Sequence, residues 1–287
     1  MIKKTLSLTV ILILTLSLCS CSFFRTVQDE KETSVSTADT SPSTTEATDT
    51  EQVQTEPLPV IPTKDPSAPD TICIDAGHGY VDPGCTTDYI NGLYEREIVA
   101  EYAEVLKETL EGMGYRVILL RDDDKYITAE EISAAADKMG MTYMKDKLVD
   151  DERFAPYNRS VWANVLHRET YIDLFVSLHI DSYESLESVR GTRIYYCSEN
   201  NYSAMSQKLC ESVTGAIGAA LPEQNAKYYA KNYEEAFVVT KHTEMPSALI
   251  EMGFATNKTD AENILDEEWR GTFTKAVAEG IKAYLGD

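Results

Sequence analysis

Three runs of apolar residues along the chain each lead to a side chain that can act in catalysis or bind a metal. Their Ile, Val and Leu content is typical of buried strands. The runs and the residues that follow them are 72–74 with His78, 173–178 with His179, and 247–250 with Glu251. Because the working residues of open α/β sheets collect at the carboxyl ends of the strands, this pattern predicts a functional site at one edge of a sheet.

Between these strands the chain carries apolar residues at helical spacing. The predicted helices are 95–113, 129–147, 159–168, 203–221 and a final helical region that opens at a capping box at 259–262 and runs to Tyr284. Further strands are predicted at 115–120, 193–196 and 237–239. A strand, a helix and a second strand imply a right-handed βαβ unit. The predicted fold is therefore α/β, with a twisted, mostly parallel central sheet, helices on both faces and a single domain.

The first 21 residues have the features of a secretion signal. Lys3 and Lys4 precede an apolar segment at 6–18, which is shorter than a membrane span requires. A small residue and Cys21 follow, so the segment resembles a bacterial lipoprotein signal with Cys21 acylated as the first residue of the mature chain. This predicts a membrane contact through an N-terminal lipid anchor. The alternative is ordinary signal cleavage without a lipid.

Composition separates the signal from the predicted domain at 71–287. Residues 22–70 are rich in Thr, Ser and Glu and are predicted to be a disordered linker. The formal net charge of −22 excludes nucleic acid as a partner, since phosphate binding requires clustered Lys and Arg. Export permits disulfides, but we expect the cysteines after the signal to be free thiols. They are Cys73, Cys85, Cys197 and Cys210.

Two of the four histidines lie at predicted strand ends. His78 and His179 are therefore candidate zinc ligands, because a catalytic zinc needs about three protein ligands and one open position. The third ligand is expected near the loop after the first strand, where the spacing does not separate Glu95 from Glu97. The alternative for each histidine is an ordinary hydrogen-bonded residue of the core.

Glu251 interrupts an apolar strand, and an unpaired buried charge is costly. Beside a zinc site it would act as a general base and then as an acid towards a leaving amine. The alternative is a structural carboxylate that pairs with Arg121 or Arg159.

These candidates fall within motifs that cover the chain after the linker. The motifs are Asp75-Ala76-Gly77-His78-Gly79, Asp82-Pro83-Gly84, Glu95-Arg96-Glu97-Ile98, Ser177-Leu178-His179-Ile180-Asp181 and Met245-Pro246-Ser247-Ala248-Leu249-Ile250-Glu251-Met252-Gly253-Phe254. In this order they resemble the zinc-dependent N-acetylmuramoyl-L-alanine amidases of bacterial cell walls, the amidase type 3 catalytic domain. The resemblance implies zinc held by His78, Glu95 and His179. It implies a catalytic role for Glu251, and the Glu-Arg-x-Ile pattern favours Glu95 over Glu97.

The sequence departs from the family pattern at two positions beside the motifs. Tyr80 stands where the family usually has a second glycine, and Asp181 stands where it usually has asparagine. An acid at 181 adds charge near the metal and would alter substrate contacts. Arg159 and Asn164 also match the family. Asp181, Arg159 and Asn164 are the predicted substrate-binding residues.

The third departure is an insert at about 124–157, which separates Arg121 from Arg159 by more residues than usual. The segment 129–147 within it has a Met-rich face. We expect it to regulate access to the site, as an autoinhibitory lid or as the contact for an activator protein, with ordinary packing as the alternative.

The resemblance implies a peptidoglycan hydrolase that cleaves the amide between the lactyl group of N-acetylmuramic acid and L-alanine. With the signal, it places the protein on the outer face of the bacterial cytoplasmic membrane, facing the cell wall. Two alternatives stay open at the level of sequence. One is a peptidoglycan-binding module with an inactive site, and the other is a zinc peptidase that cuts a different wall peptide bond.

Overall fold

The computed structural model describes residues 61–121, 126–142, 144–150 and 153–286. Within this part, six strands form one sheet in the order β2-β1-β3-β6-β4-β5. They are β1 (Thr71–Ala76), β2 (Arg116–Leu119), β3 (Leu174–Asp181), β4 (Arg193–Cys197), β5 (Lys227–Lys231) and β6 (Ser247–Phe254). Neighbouring strands are parallel except β4 and β6, which are antiparallel. The predicted mostly parallel α/β sheet is confirmed.

Helices cover both faces of the sheet. They are α1 (Glu95–Gly112), α2 (Ala129–Lys138), α3 (Pro156–Glu169), α4 (Ser203–Ala220), α5 (Val238–His242), α6 (Lys258–Leu265) and α7 (Glu267–Leu285). One buried cluster joins α1, α4 and α7 to the sheet, and a second joins α2, α3 and α5 to its other face. Among the described helices, none is both long and apolar enough to cross a membrane.

Alternation along the strands decides which face each side chain reaches. Ile72 and Ile74 of β1 belong to the first cluster, whereas Cys73 belongs to the second. In β3 and β6, Phe175 and Leu249 also belong to the second cluster. Asp75, His179 and Glu251 lie two or four positions further along these strands. They therefore project on the face of α2, α3 and α5, at the carboxyl edge of the sheet.

The strand prediction needs correction at two places, one predicted strand that is absent and one strand that was not predicted. The prediction of a strand at 237–239 is wrong, because Val238–His242 forms the short helix α5. The two adjacent valines favoured a strand, but local backbone hydrogen bonds to Phe237 open a helix instead. The sequence also gave no prediction for β5, whose Lys227–Lys231 run is largely exposed and has no buried apolar alternation.

Helix ends were less predictable than helix positions. The helix predicted at 129–147 ends at Lys138, followed by Gly140 with a φ of 63°, and only 145–147 forms a further 3-10 turn. The last helical region begins at Asn257, whose side chain accepts from the amide of Asp260, not at the proposed capping box. It is divided at Asp266, which caps α7.

The structured domain begins before residue 71. Lys64, in the stretch predicted as linker, donates to Asp173 Oδ1 at 2.7 Å, and the amide of Arg116 donates to the carbonyl of Asp70 at 2.9 Å. The end of the predicted linker therefore lies against the sheet. The predicted signal, Cys21 and most of the linker lie outside the described residues.

Candidate metal centre

Two glycines provide the space into which the side chains of the site fit. A Cβ atom on Gly77 would lie 2.4 Å from Cε1 of His179, and one on Gly84 would lie 2.6 Å from Oε2 of Glu95. Between them, His78 has a φ of 61°, a left-handed conformation that is uncommon for a residue with a side chain. The glycines of the Asp-Ala-Gly-His-Gly and Asp-Pro-Gly motifs therefore allow His78, Glu95 and His179 to converge.

His78, Glu95 and His179 form a compact group of three potential ligands. The Oε1 atom of Glu95 lies 3.1 Å from Nε2 of His78 and 3.1 Å from Nδ1 of His179. The ligand atoms of the three residues all lie within 4.8 Å of one another. Ligands about 2.0–2.2 Å from a tetrahedral zinc are themselves a little over 3 Å apart, so two imidazoles and a carboxylate in this arrangement fit zinc.

Hydrogen bonds behind the ligands orient them. Nδ1 of His78 lies 3.0 Å from Oδ2 of Asp82, which favours the tautomer with Nε2 available to a metal. Glu95 is the first residue of α1 and is almost fully buried. Its Oε2 accepts from the amide of Cys85 at 2.9 Å, and its Oε1 accepts from the amide of Ile180 at 2.9 Å. The loop after β1 and the end of β3 therefore hold the carboxylate in place.

The charges of the cluster shift the pKa values of its members. Burial alone would lower the pKa of His78, but its hydrogen bonds to Asp82 and Glu95 outweigh burial and raise the pKa to about 9. Burial would raise the pKa of Glu95, but hydrogen bonds to His179 and His78 bring it well below its usual value. Positive charge is therefore stabilised at this point, as a divalent cation requires.

Glu251 lies directly across the β3–β6 pairing from His179. It is 8 % exposed, and its Oε2 atom has no hydrogen-bond partner among the described residues. Burial raises its pKa well above the usual value, the charges of Glu95 and Asp181 add to this effect, and Arg193 opposes it. A carboxylate with an unoccupied oxygen, beside three ligand residues, is suited to accept and release a proton.

The arginines proposed as alternative partners of Glu251 are engaged elsewhere. Arg121 donates to the carbonyl of Gly77 at 3.2 Å. Arg159 lies 3.2 Å from Oδ2 of Asp75 and donates to the carbonyl of Phe154 at 2.9 Å. A structural ion pair between Glu251 and either arginine is therefore not what the structure shows.

The three predicted substrate-binding residues have different environments. Arg159 and Asn164 are buried, and Asn164 donates to the carbonyl of His242 at 2.8 Å and accepts from the amide of Glu244 at 2.8 Å. Asp181 is half-buried next to the site, where burial raises its pKa. The contacts of Arg159 and Asn164 lie inside the protein, and a substrate contact by any of the three stays a prediction.

The sequence analysis did not identify Arg193 as part of this site. Arg193 of β4 is the antiparallel partner of Glu251, and its guanidinium lies 4.5 Å from the centre of the Phe254 ring. In the sequence it is an isolated arginine at the start of a strand. Only the β4–β6 register brings it beside the catalytic candidate, and no local pattern predicts that register.

The insert contacts the loop that carries His78. Rings of Tyr126 and Tyr80 meet edge to face at 4.8 Å, and Tyr80 also contacts Phe154 at 5.9 Å. Helix α2 packs on α3. The predicted regulatory role of this segment stays a prediction.

The four cysteines after the signal are free thiols, as predicted.

The sequence profile of N-acetylmuramoyl-L-alanine amidases matches residues 72–283. The chain is 29 % identical over 214 residues to YqiI of Bacillus subtilis, covering 75 % of this chain and 84 % of that protein. It is 25 % identical to LytH of Staphylococcus saprophyticus, described as a probable cell wall amidase, over 79 % of this chain and 62 % of LytH. The chain thus spans about three fifths of the length of LytH.

The fold is also similar to that of the CwlD amidase from Clostridioides difficile, solved in complex with the GerS lipoprotein. The TM-score is 0.58 at 24 % identity, covering 75 % of this chain and 98 % of CwlD. This likeness concerns the fold, whereas the family match extends through the motifs that carry His78, Glu95, His179 and Glu251. The chain therefore belongs to the N-acetylmuramoyl-L-alanine amidase family.

Proposed function

We propose that this chain is a zinc-dependent amidase that cleaves the bond between the lactyl group of N-acetylmuramic acid and L-alanine in peptidoglycan. The family supports the amide as the bond cleaved. His78, Glu95 and His179 would hold the ion, because their ligand atoms lie close enough to share one metal. A zinc ion there would supply Lewis acidity, which polarises a carbonyl group and acidifies water.

Glu251 carries the proton transfers in this proposal. It accepts a proton from the attacking water and then donates it to the nitrogen of the departing L-alanine. The observation that supports this role is that Oε2 of this buried carboxylate, across the strand pairing from His179, has no partner in the part of the chain that the structure describes. Its raised pKa allows the same group to serve first as base and then as acid.

The test compares wild-type protein with Glu251→Ala on purified peptidoglycan. We expect the variant to retain zinc, measured by metal analysis, and to release almost no free amino groups. Mass spectrometry of the wild-type products should find intact stem peptides that begin at L-alanine, and a chelator should stop their release. Near wild-type turnover of the variant would remove Glu251 from the mechanism, and products with other termini would assign the enzyme to another wall bond.

We further propose that Cys21 is lipidated and holds the enzyme on the outer face of the cytoplasmic membrane. The motivation is the Cys21 that follows a basic and apolar N-terminal segment. Cys21→Ala should move the protein from the membrane fraction into the soluble fraction or the medium. Equal membrane retention of the variant would contradict the anchor.

The partner proposed for the insert at 124–157 is an activator protein. CwlD, which has a similar fold, was solved with the GerS lipoprotein. Tyr126 of the insert contacts Tyr80, which lies two residues after His78. A change in the insert could therefore shift the loop that carries His78. Deleting 129–142 should change turnover on peptidoglycan. Unchanged turnover with unchanged thermal stability would reduce this segment to ordinary packing.

A further inference from the structure

Three aromatic rings form a patch where the sheet is open beyond α5. Tyr195 of β4 stacks on Tyr229 of β5, with ring centres 5.4 Å apart and planes inclined by 25°. Phe237 meets Tyr195 edge to face at 5.3 Å. Tyr229 and Phe237 are each 38 % exposed. We call Tyr195, Tyr229 and Phe237 the aromatic surface.

The two tyrosines of the aromatic surface lie on the same face of the sheet as the proposed catalytic site. Tyr195 and Tyr229 are register partners, and Arg193, two residues before Tyr195, is the register partner of Glu251. Register partners project on one face of a sheet, so the rings and Glu251 share a face. With strands about 4.8 Å apart and about 3.3 Å per residue, Tyr229 lies on the order of 12 Å from Glu251 along that face. A glycan strand that continues from the N-acetylmuramic acid at the cleavage point can span this distance.

The neighbouring tyrosine of β5 is about as exposed as Tyr229, at 36 % against 38 %, but it projects to the other face and its hydroxyl has a partner. Tyr228 projects to the opposite face, where its hydroxyl lies 2.9 Å from Oε1 of Glu211 in α4. Among the described residues, the hydroxyl of Tyr229 has no such partner. Tyrosine at a binding surface typically combines an apolar ring with a polar group that bonds to the ligand. Tyr229 carries both groups and is 38 % exposed.

Cations surround the aromatic surface, although the whole chain has a net charge of −22. Nζ of Lys231 lies 5.8 Å from the centre of the Tyr195 ring. Lys227, the register partner of Arg193, is exposed on the same face. The surface therefore offers flat apolar rings with hydrogen-bond donors at their rim, complementary to a pyranose ring with its apolar C–H face and polar edge.

We propose that the aromatic surface binds the sugar strand of peptidoglycan next to the N-acetylmuramic acid residue whose amide is cleaved. This inference rests on the proposed function for the identity of the polymer. The shared face and the short distance to Glu251 favour a segment of the substrate over an unrelated ligand. The sugar adjoining the cleavage point stacks on Tyr195 and Tyr229, and Phe237 borders it.

The experiment measures binding of glycan strands from which the stem peptides have been removed. The full chain, purified in detergent with zinc, is titrated with these strands by calorimetry, in parallel with Tyr229→Ala and Tyr228→Ala. Loss of one stacking ring should weaken binding roughly twofold to tenfold in Tyr229→Ala. Tyr228→Ala is the matched control, because Tyr228 belongs to the same strand, is 36 % exposed and projects to the other face. Its affinity should equal that of the wild type.

A second variant, Phe237→Ala, guards against a local effect of Tyr229→Ala on the edge strand, and it should also weaken binding. Equal affinities of all variants, or no binding by the wild type, would overturn the inference. A change from dimer to monomer in Tyr229→Ala, measured by light scattering and without a loss of glycan affinity, would assign the surface to a second copy and also overturn it. Glycan binding without any amide cleavage would instead contradict the proposed function alone.

Discussion

Asp75 and Glu251 are two buried carboxylates on the same face of the sheet, with β3 between their strands. Asp75 has partners of its own, because Oδ2 lies 3.2 Å from the guanidinium of Arg159 and accepts from the hydroxyl of Ser177 at 2.7 Å. The side chain of Glu251 makes no ion pair or hydrogen bond among the residues that the structure describes, and the charge of Arg193 only partly offsets the rise in its pKa.

The difference separates a carboxylate that the fold requires from one for which we propose a catalytic role. Removing one partner of a buried ion pair destabilises the fold, because the other charge stays buried without a counter-charge. The fold therefore requires the Asp75–Arg159 pair. A buried carboxylate without a partner is destabilising while it is present, so the fold alone gives no reason to retain Glu251. The proton transfers proposed for Glu251 at the adjoining site would supply such a reason. Four substitutions test this distinction.

The largest expected effect is on the activity of Glu251→Gln, which preserves the shape of the side chain and removes its proton chemistry. Turnover on peptidoglycan should fall by about 10²–10⁴, the usual contribution of a general base. Its free energy of unfolding should stay equal or rise, because a costly buried acid is replaced by a neutral amide. Urea denaturation at equal zinc content checks this, and a loss of several kcal/mol would mean that Glu251 is structural.

Asp75→Asn should show the opposite behaviour. The free energy of unfolding should fall by about 3–5 kcal/mol, because the guanidinium of Arg159 keeps its burial and loses its counter-charge. The double variant Asp75→Asn with Arg159→Met should recover part of this loss, since neither charge then remains. Urea denaturation of both variants measures the effect. A loss below about 1 kcal/mol for the single variant would place this pair in the same class as exposed ion pairs.

The sequence offered a role for Glu251, which stays a prediction, but no partner for Asp75. His78, His179 and Glu251 follow apolar runs. This pattern can be recognised without the tertiary structure, because the carboxyl ends of parallel strands lie at one edge of the sheet. Glu95 required the family resemblance to distinguish it from Glu97. The partner of Asp75 was not predictable, since the contact depends on where α3 packs on the sheet.

The parts of the fold that were missed depend on long-range pairing. The exposed strand β5 has no apolar alternation, and its pairing with β4 comes only from the tertiary structure. The valines at 238 and 239 suit a strand locally, but the chain forms α5 there. Arg193 enters the site through an antiparallel register that local patterns do not encode. Strand ends and helix positions are local properties, whereas registers are not.

His167 is a third buried titratable group, and its environment favours the neutral form, in contrast to the charged Asp75. Nδ1 of His167 accepts from the amide of Ile172 at 3.0 Å, and burial lowers its pKa to about 4, with Glu244 opposing and Arg168 adding to the shift. The unfolded chain takes up this proton near pH 6.5, before the folded one does. Stability is therefore complete above that pH and is lost as the pH falls towards 4.

At pH 5 the titration of His167 should lower the free energy of unfolding by up to about 2 kcal/mol relative to pH 7. His167→Asn keeps an acceptor for the amide of Ile172 and removes the titration. Urea denaturation of wild type and variant at both pH values isolates the effect, because the other titrating groups are common to both proteins. If acidification lowered the free energy of unfolding equally in the two proteins, His167 would not be the source of the loss.

The smallest effect should come from Glu262→Gln, the same chemical change as in Glu251→Gln at an exposed ion pair. Glu262 lies 3.7 Å from Lys258 one helical turn away, and the two side chains are 63 % and 70 % exposed. Water already solvates both charges, so the free energy of unfolding should change by less than about 0.5 kcal/mol and turnover should not change. A destabilisation well above 1 kcal/mol in urea denaturation would show that burial does not decide the cost of losing a carboxylate here. The contrast between Asp75 and Glu251 would then lose its physical basis.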